Sequence, residues 1–269
     1  MRFWFARCEA WRGAGYAFRV NPDHPNNVFH ITHWKSGSQW VRGVLQRLVP
    51  DRVVKPKPDM SDVADGQLKP GGVYTPLYMA TQWFDGQVTR TEDQKFFVVI
   101  RDLRDSAVSW YFSIKHSHKP INLKDADDLM QSYRQRFNES SVEDGIRIVI
   151  EERLEPFANI QETWLGQPEA ARLMVRYEDL IADEHATFNR IFDYAGLEPD
   201  PQRRSEAVAA ESFQKRTGRK PGEERVDAHH RKGIAGDWQN HFTPELTQLF
   251  KDRFGQILID AGYETDTNW

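Results

Sequence analysis

Apolar residues along the chain follow two kinds of pattern. Val28–Thr32 and Phe96–Ile100 are short, almost uninterrupted apolar runs, which are typical of central parallel strands covered on both faces. A third strand is predicted over 172–175. After the first run, apolar residues recur at the spacing of one helix face, at Trp40, Val41, Val44, Leu45 and Leu48. The first unit is therefore predicted to be strand, loop and helix.

Further apolar stretches predict the remaining helices. They cover 103–114, 125–137, 142–164 with a bend near Pro156, 184–195 closed by Gly196, and a last segment that begins with a cap and a proline at Thr243-Pro244-Glu245. Residues 55–72, rich in proline, glycine and charge, predict an exposed connection that ends at Val73-Tyr74. Because strands alternate with helices, we expect an α/β fold, a single domain with a central, mostly parallel sheet flanked by helices.

Two polar segments interrupt this alternation. Asn21–Asn27 is dense in turn-forming residues, so it should separate an N-terminal extension, residues 1–27, from the first core strand. Residues 214–236 are rich in Arg, Lys, Gly and Glu and poor in large apolar residues, which predicts an exposed, mobile loop. The whole chain, 1–269, is then predicted to be one domain.

Composition and charge narrow the class of protein. The net charge of −4 and the pI near 6.2 give no overall field that attracts DNA or RNA, so we expect no nucleic-acid partner. The single cysteine, Cys8, can form neither an internal disulfide nor a cysteine-based metal site. Residues 1–11 lack the apolar run of a signal peptide, and no stretch has the length of a transmembrane segment. These features predict a soluble, cytoplasmic protein.

The loop after the first strand has the residue types of an anion site. Lys35-Ser36-Gly37-Ser38 is a turn of small residues at a helix N-terminus, where backbone N–H groups, two hydroxyls and one ammonium group can surround a phosphate or sulfate. The loop lacks the first glycine and the Gly-Lys order of the nucleotide-triphosphate loop. It is equally compatible with an ordinary strand-to-helix turn that carries an exposed lysine.

A second candidate anion site follows the 96–100 strand. Arg101 stands where this strand ends, and Ser109 lies about two turns into the next helix, so both side chains can converge on a second phosphate. Alternatively, Arg101 forms a structural salt bridge with Asp102 or Asp105. The same structural interpretation applies to Arg104.

A third block, Arg231-Lys232-Gly233-Ile234-Ala235-Gly236-Asp237-Trp238, places two cations and two glycines in the predicted mobile loop. Such a loop can close over an anion. The alternative is a solvated run of charge, which is the commoner role of adjacent basic residues.

Together, in this order and on these elements, the three blocks resemble the sulfotransferases that use 3′-phosphoadenosine 5′-phosphosulfate (PAPS). The first family motif, Pro-Lys-Ser-Gly-Thr-Thr-Trp, is matched at Lys35, Ser36, Gly37 and Trp40, is replaced conservatively at Ser38, and differs at Trp34 and Gln39. The late motif, Arg-Lys-Gly-x-x-Gly-Asp-Trp-Lys-Asn, is matched from Arg231 to Trp238, and Gln239 then replaces its lysine. Arg176–Leu180 and Ser212-Phe213 also resemble family segments, and the resemblance extends from about Val28 to Phe254.

The resemblance implies a donor, a product and a set of roles. PAPS would be the sulfuryl donor and adenosine 3′,5′-bisphosphate (PAP) the product, with no metal ion. The implied ligands of the 5′-phosphosulfate are Lys35, Ser36, Gly37, Ser38 and Gln39; those of the 3′-phosphate are Arg101, Ser109, Arg231, Lys232 and Gly233; and the residues that flank the adenine are Trp40, Tyr177 and Phe213. In this scheme Lys35 and Ser109 are catalytic residues, and Lys35 would neutralise the leaving phosphate oxygen.

The catalytic base is not fixed by the resemblance. Where the best-known family branch has Thr-His-Leu-Pro, this chain has Thr75-Pro76-Leu77-Tyr78. We rank His116 first as the base, because it follows Ser109 by seven residues and would share its helical face. His33, beside the first loop, and Asp85 are the other candidates, and each of the three is also compatible with a surface or structural role.

The acceptor and the oligomeric state are left open by the sequence. Residues 53–83 and 116–141 match no motif, so a small molecule, a lipid or a glycan is compatible as acceptor. The family's dimer motif is altered at Gln239 and Pro244, and that mode of dimerisation is not predicted. Two rival functions are a P-loop small-molecule kinase that uses ATP and Mg²⁺, and a non-catalytic protein that binds adenosine bisphosphate.

Overall fold

The computed structural model describes residues 26–57, 60–118, 124–198, 200–228 and 231–269, and in these ranges five parallel strands form one sheet. The strands are β1 (Val28–Thr32), β2 (Val53–Val54), β3 (Val73–Leu77), β4 (Lys95–Ile100) and β5 (Leu173–Arg176). Their order across the sheet is β2-β3-β1-β4-β5, and each neighbouring pair is parallel. The predicted α/β fold with a mostly parallel sheet is confirmed.

Helices connect and cover the strands. They are α1 (Ser38–Leu48), α2 (Thr81–Asp85), α3 (Leu103–Phe112), α4 (Lys124–Asn138), α5 (Val142–Glu152), α6 (Glu155–Leu165), α7 (Tyr177–Ala182), α8 (Glu184–Ala195), α9 (Pro201–Ala210), α10 (Phe213–Thr217) and α11 (Pro244–Asp260). A π-helical turn, Ser113–Ser117, continues α3, and short 3₁₀ turns cover Glu169–Ala171 and Asp237–Asn240.

Both faces of the sheet are buried, as the continuous apolar runs predict. Val28, Phe97 and Val99 pack on one face with α1, α8 and α9. Phe29 and Val98 point to the opposite face, toward α2 and α6, because side chains alternate along a strand. Burial of each large apolar side chain contributes about 1.5–3 kcal/mol. The sheet is therefore a rigid base for the loops at its edges.

The structure differs from the predicted helices near α3 and α6. The helix predicted to reach Ile114 ends at Phe112, where the π-helical turn begins. The bent helix predicted over 142–164 is two helices, separated at Arg153 and Leu154. Pro156 lies in the first turn of α6, where its missing N–H is tolerated; inside a continuous helix it would remove a backbone hydrogen bond.

Shorter elements were not apparent in the sequence. β3 continues beyond Val73-Tyr74 to Leu77, and α10 occupies the beginning of the predicted loop 214–236. The short helices α7 and α9 were also not predicted, because tertiary contacts, such as those of α9 with α1, stabilise helices that sequence propensity alone does not. Cys8 and the predicted extension up to residue 25 lie outside the described residues.

Candidate functional site

A cavity of about 800 Å³ lies at the carboxyl edge of the sheet. Lys35 follows β1, Arg101 follows β4 and Tyr177 follows β5, and all three line the cavity. Parallel α/β sheets bind ligands at this edge because the loops after neighbouring strands meet there. The volume is in the usual range for a small-molecule site.

The structure brings together the sequence-predicted donor-binding residues, with one exception. Those that line the cavity are Lys35, Gly37, Ser38, Gln39, Trp40, Arg101, Ser109, Tyr177, Phe213, Arg231, Lys232 and Gly233. The exception is Ser36, which is fully buried. Its hydroxyl donates to the backbone oxygen of His33 at 2.7 Å and contacts the Thr32 hydroxyl. Ser36 therefore fixes the shape of the loop, and the structure does not bring its hydroxyl to the cavity.

The loop between β1 and α1 contains two left-handed residues. Gly37 has φ +83° and Lys35 has φ +72°, a conformation that costs a non-glycine residue about 1–2 kcal/mol. A Cβ at residue 37 would lie 2.9 Å from the Tyr177 ring, so the turn and the neighbouring ring both require glycine. Gly37 precedes α1 and offers no side-chain cap, which leaves N–H groups of the first turn of α1 available to an anion.

The Lys35 ammonium group lies among other cations. Burial, and then the nearby guanidinium groups of Arg101 and Arg231, lower the pKa of Lys35 to about 8. Repulsion among these charges is relieved when an anion binds between them. The electrostatics of the cavity therefore favour a phosphate or sulfate group.

Arg101 connects the segments that surround the cavity. Its Nη1 donates to the backbone oxygen of Lys35 at 3.1 Å, and its Nη2 donates to Asp105 at 3.3 Å and to the backbone oxygen of Ile234 at 3.2 Å. Its guanidinium carbon lies 4.4 Å from the centre of the Tyr177 ring. Among the described residues its Nε is buried and has no hydrogen-bond partner. Arg101 thus forms the ion pair with Asp105 that the sequence allowed, and it also faces the cavity.

Arg104 has the structural role considered for it. It is 3% exposed and pairs with Asp102 at 2.7 Å and with Glu264 at 2.6 Å. Its guanidinium lies between two indole rings, 3.9 Å from that of Trp238 and 4.3 Å from that of Trp269. It does not line the cavity.

The loop that carries the third block is attached to α3 through Asp105. This buried carboxylate accepts hydrogen bonds from the backbone N–H groups of Gly236 at 2.8 Å and Trp238 at 2.9 Å. Residues 220–227 are largely exposed, whereas 231–234 are half-buried at the cavity. Asp105 therefore sets the position of the basic residues just before Gly236.

The two cations of this block pair with carboxylates. Lys232 contacts Asp237 at 2.6 Å and Glu224 at 3.5 Å, and Arg231 contacts the same two carboxylates. Asp237 is 3% exposed; burial opposes its ionisation, but hydrogen bonds from His241, Lys232 and Arg231 hold its pKa well below the usual range. Both cations are therefore neutralised by carboxylates on their own loop.

Aromatic rings form another part of the lining. Trp40 and Tyr177 meet edge to face, with their centres 6.5 Å apart. The Phe213 ring lies against Gly233, where a Cβ would approach it to 2.5 Å.

Trp34, which replaces the proline of the family motif, stacks on Tyr78 at 4.9 Å. The Tyr78 hydroxyl is in turn 2.8 Å from the Ser38 hydroxyl. Trp34 and Tyr78 line the cavity, and no motif in the sequence indicated them.

None of the three candidate bases from the sequence lines the cavity. His116 is exposed, because the backbone turns from α-helical to π-helical at Ser113 and the face shared with Ser109 is not continued. This placement corrects the position that helical spacing predicted for His116.

His33 is fully buried, and its ring accepts a hydrogen bond from the backbone N–H of Arg101 at 3.1 Å. Burial lowers its pKa to about 4. Asp85 is held by Arg90 at 2.6 Å.

Among the described residues, the histidine that lines the cavity is His118. It follows the π-helical turn, and its N–H donates to the backbone oxygen of Ser113 at 2.7 Å. Ser113 also lines the cavity, and its buried hydroxyl has no hydrogen-bond partner among the described residues. Helical spacing alone did not indicate the π-helical turn, so it did not show that His118, rather than His116, lies at the cavity.

The described ranges contain neither a metal-ligand cluster nor a membrane-spanning helix. In them, no group of three or more His, Cys, Asp or Glu side chains is arranged to hold a metal ion. Within the same ranges, no helix is both long and apolar enough to cross a membrane.

Comparison with protein families gives one match, to the sulfotransferase domain, over residues 86–262. Among curated proteins, a 3-alpha-hydroxysteroid sulfotransferase of Cavia porcellus is 25% identical over 260 residues, which covers 87% of this chain and 83% of the relative. A flavonol 3-sulfotransferase of Flaveria bidentis is 22% identical, with 89% of this chain and 84% of the relative covered.

Solved structures share the fold at low sequence identity. Mouse sulfotransferase SULT7A1 complexed with PAP superposes with a TM-score of 0.61 at 16% identity, over 87% of this chain and 84% of that chain. A retinol dehydratase in complex with retinol and PAP gives a TM-score of 0.55 at 17% identity, over 88% and 82% of the two chains.

Proposed function

The chain belongs to the sulfotransferase domain family, and we propose from this that it transfers a sulfuryl group from PAPS to a hydroxyl or amine of a small-molecule acceptor. The observation that carries the proposal is the distribution of anion-binding groups around one cavity. Lys35 and the α1 N-terminus lie on one loop, while Arg101, Ser109, Arg231 and Lys232 line the same cavity from other segments. PAP in the related structures has two separate phosphates that need such sites.

The described residues fit this donor. The cavity volume of about 800 Å³ is sufficient for a nucleotide. Arg101 retains a buried Nε with no partner among the described residues, and Gly37 and Gly233 have neighbours so close that a side chain at either position would collide with a ring. We therefore assign the 5′ end of PAPS to the Lys35 loop and the 3′-phosphate to Arg101, Ser109, Arg231, Lys232 and Gly233, with the adenine beside Trp40, Tyr177 and Phe213.

Lys35 would supply the main electrostatic stabilisation. When bound, PAPS provides a sulfuryl group whose bond to the 5′-phosphate breaks as an acceptor oxygen or nitrogen attacks the sulfur. The Lys35 ammonium and the first-turn N–H groups of α1 would stabilise the negative charge on the leaving phosphate oxygen. Arg101 and Ser109, at the other end of the nucleotide, would hold the donor in line for attack.

The proposed function is tested with sulfur-35-labelled PAPS. The purified chain is incubated with labelled PAPS and pools of phenols, steroids, lipids and sugars, and ATP with Mg²⁺ serves as the control donor. We expect the label to move to an acceptor while PAP accumulates, with no phosphoryl transfer from ATP. Transfer from ATP would favour the kinase alternative. Binding of PAP without transfer to any pool would favour the non-catalytic alternative.

The same proposal covers the extent of the domain, the movement of the loop, the acceptor class and the location of the protein. We infer that residues 1–269 act as one domain and that the loop 214–236 closes over the bound nucleotide, since Arg231–Gly233 reach the cavity from it. The acceptor is a small molecule, a lipid or a glycan. A cytoplasmic location is supported by the single cysteine, and cell fractionation with an antibody to the chain tests it.

Glu224→Gln is expected to tighten PAP binding about tenfold, because it removes two partly exposed ion pairs worth up to about 1 kcal/mol each. In the free protein Glu224 contacts Arg231 and Lys232, so it competes with a 3′-phosphate for both cations. Calorimetry with PAP measures the change. Asp227→Asn is the matched control, because Asp227 lies in the same loop and pairs with Arg225. Equal PAP affinity of Glu224→Gln and the wild type would exclude this competition.

A further inference from the structure

Transfer to a hydroxyl or amine is helped by a base that has access to the cavity, and His118 has this access. It lines the cavity together with Lys35, Ser109 and Ser113. The histidine that the best-known family branch carries before its second phosphate-binding strand is replaced by Pro76 in this chain. We propose that His118 is the catalytic base that accepts the proton of the acceptor hydroxyl or amine, an inference that rests on the proposed sulfuryl transfer.

The backbone of His118 is held in place on both sides. Its N–H closes the π-helical turn on the Ser113 oxygen at 2.7 Å. Its own carbonyl accepts a hydrogen bond from Arg134 Nη2 at 2.5 Å, and Arg134 Nε donates to the backbone oxygen of Ile114 at 2.8 Å. Arg134 of α4 therefore ties His118 to the preceding turn. Because its backbone is fixed in this way, His118 can keep a constant distance between its ring and a reacting group.

The charges around the ring favour its neutral form. Burial, and then the nearby cations Lys35 and Arg134, lower the pKa of His118, whereas Asp127 acts in the opposite direction. Lys35 belongs to the loop after β1, and Arg134 and Asp127 belong to α4. Since the ordinary pKa of histidine is about 6.5, His118 is neutral at pH 7 and can take a proton.

The proton balance of the step is complete. One ring nitrogen of His118 takes the proton as the acceptor oxygen or nitrogen forms its bond to sulfur. The sulfur–oxygen bond to the 5′-phosphate breaks, and Lys35 stabilises the phosphate oxygen that leaves with the electron pair. His118 then releases the proton to water.

Other ionisable groups near the cavity are less suitable. His33 is fully buried and its ring is engaged by the Arg101 N–H. His116 is exposed, and Asp85 is engaged by Arg90. Burial raises the pKa of Tyr78 above its ordinary value of about 10, so Tyr78 stays protonated at neutral pH. Of His33, His116, Asp85, Tyr78 and His118, only His118 both lines the cavity and can accept a proton at neutral pH.

The first test compares His118→Ala with His116→Ala under single-turnover conditions with labelled PAPS. The acceptors are 4-nitrophenol, 2-naphthol and water, and the pKa of the hydroxyl group increases in this order. We expect His118→Ala to slow transfer by about 10²–10⁴-fold, more for 2-naphthol and water than for 4-nitrophenol, and to remove the acidic limb of the pH profile. His116→Ala should behave as wild type. Unchanged rates and pH profile in His118→Ala, with an active wild type, would exclude the base role while leaving sulfuryl transfer intact.

A second measurement does not depend on turnover. The ring nitrogens of His118 are titrated by nitrogen-15 NMR in the full chain, with and without PAP, and His118→Ala identifies the resonance. We expect the pKa of His118 to lie below 6.5 in the free protein and to rise when PAP is bound, because the phosphates offset the Lys35 charge. A titration curve that PAP does not move would place His118 away from the donor and overturn the proposal, even if no acceptor has been found.

Discussion

Lys35→Ala is expected to lower the rate of sulfuryl transfer by at least about 10²–10³-fold, the usual cost of removing one group that stabilises transition-state charge. PAP binding should weaken far less, by about tenfold, because one charge-assisted contact among several is lost. The reason is the position of the Lys35 ammonium in a cavity where its charge is poorly screened. Labelled PAPS gives the rate and calorimetry gives the PAP affinity.

The same lysine predicts a dependence on pH. The pKa of Lys35 is lowered to about 8 by burial and by neighbouring cations, so the active, protonated form is lost as pH rises through that value. The kcat/KM for PAPS, which reports the free enzyme, should therefore fall above about pH 8. Lys35→Arg keeps its charge to above pH 12 and should remove this alkaline limb. An unchanged alkaline limb in Lys35→Arg, or normal turnover in Lys35→Ala, would show that Lys35 has no catalytic role.

Arg101→Ala should weaken PAP binding by about 100-fold or more, because truncating one partner of a buried ion pair costs about 2–5 kcal/mol of binding energy. Arg101 holds the Lys35 loop, Asp105 and the Ile234 carbonyl together. Adenosine 5′-monophosphate, which lacks the 3′-phosphate, should lose much less affinity. Calorimetry with both nucleotides measures the ratio of their affinities.

Arg104→Ala is the matched control for this variant. Arg104 lies in the first turn of α3, three residues after Arg101. It is also buried and pairs with Asp102 and Glu264, but it does not line the cavity. Its loss should lower the unfolding temperature, as a broken buried ion pair does, and leave the preference for PAP over adenosine 5′-monophosphate unchanged. If the two variants reduced PAP binding alike, the effect of Arg101 would be general destabilisation rather than contact with the nucleotide.

The central strands β1 and β4 and the carboxyl edge of the sheet could be predicted from the sequence because both strands are short, almost continuous apolar runs. Phe96–Ile100 has no polar residue, and in the structure this segment pairs with β1 and β5. Once these strands are parallel, the segments after β1 and β4 must meet, so Lys35 and Arg101 share a cavity. The donor-binding roles of these residues stay predictions.

The part of the cavity near Ser113 and His118 could not be predicted in the same way. The π-helical turn at Ser113 changes which histidine reaches the cavity, and it depends on tertiary contacts such as those of Arg134. The contact of Asp105 with the backbone N–H groups of Gly236 and Trp238 could not be predicted either, because these residues are far apart in the sequence. Ser36 matches the family motif, but its hydroxyl points into the protein and donates to the backbone oxygen of His33. The motif specifies the residue type at this position and does not specify the direction of the side chain.

The most direct measurement is calorimetry of the full chain with PAP, adenosine 5′-monophosphate, and ATP with Mg²⁺. If Lys35 and Arg101 bind opposite ends of one nucleotide, PAP will bind at least about 100-fold more tightly than adenosine 5′-monophosphate, since two or more charge-assisted contacts to the 3′-phosphate are added. Equal affinity for the two nucleotides, or a preference for ATP, would contradict a donor site built around the 3′-phosphate.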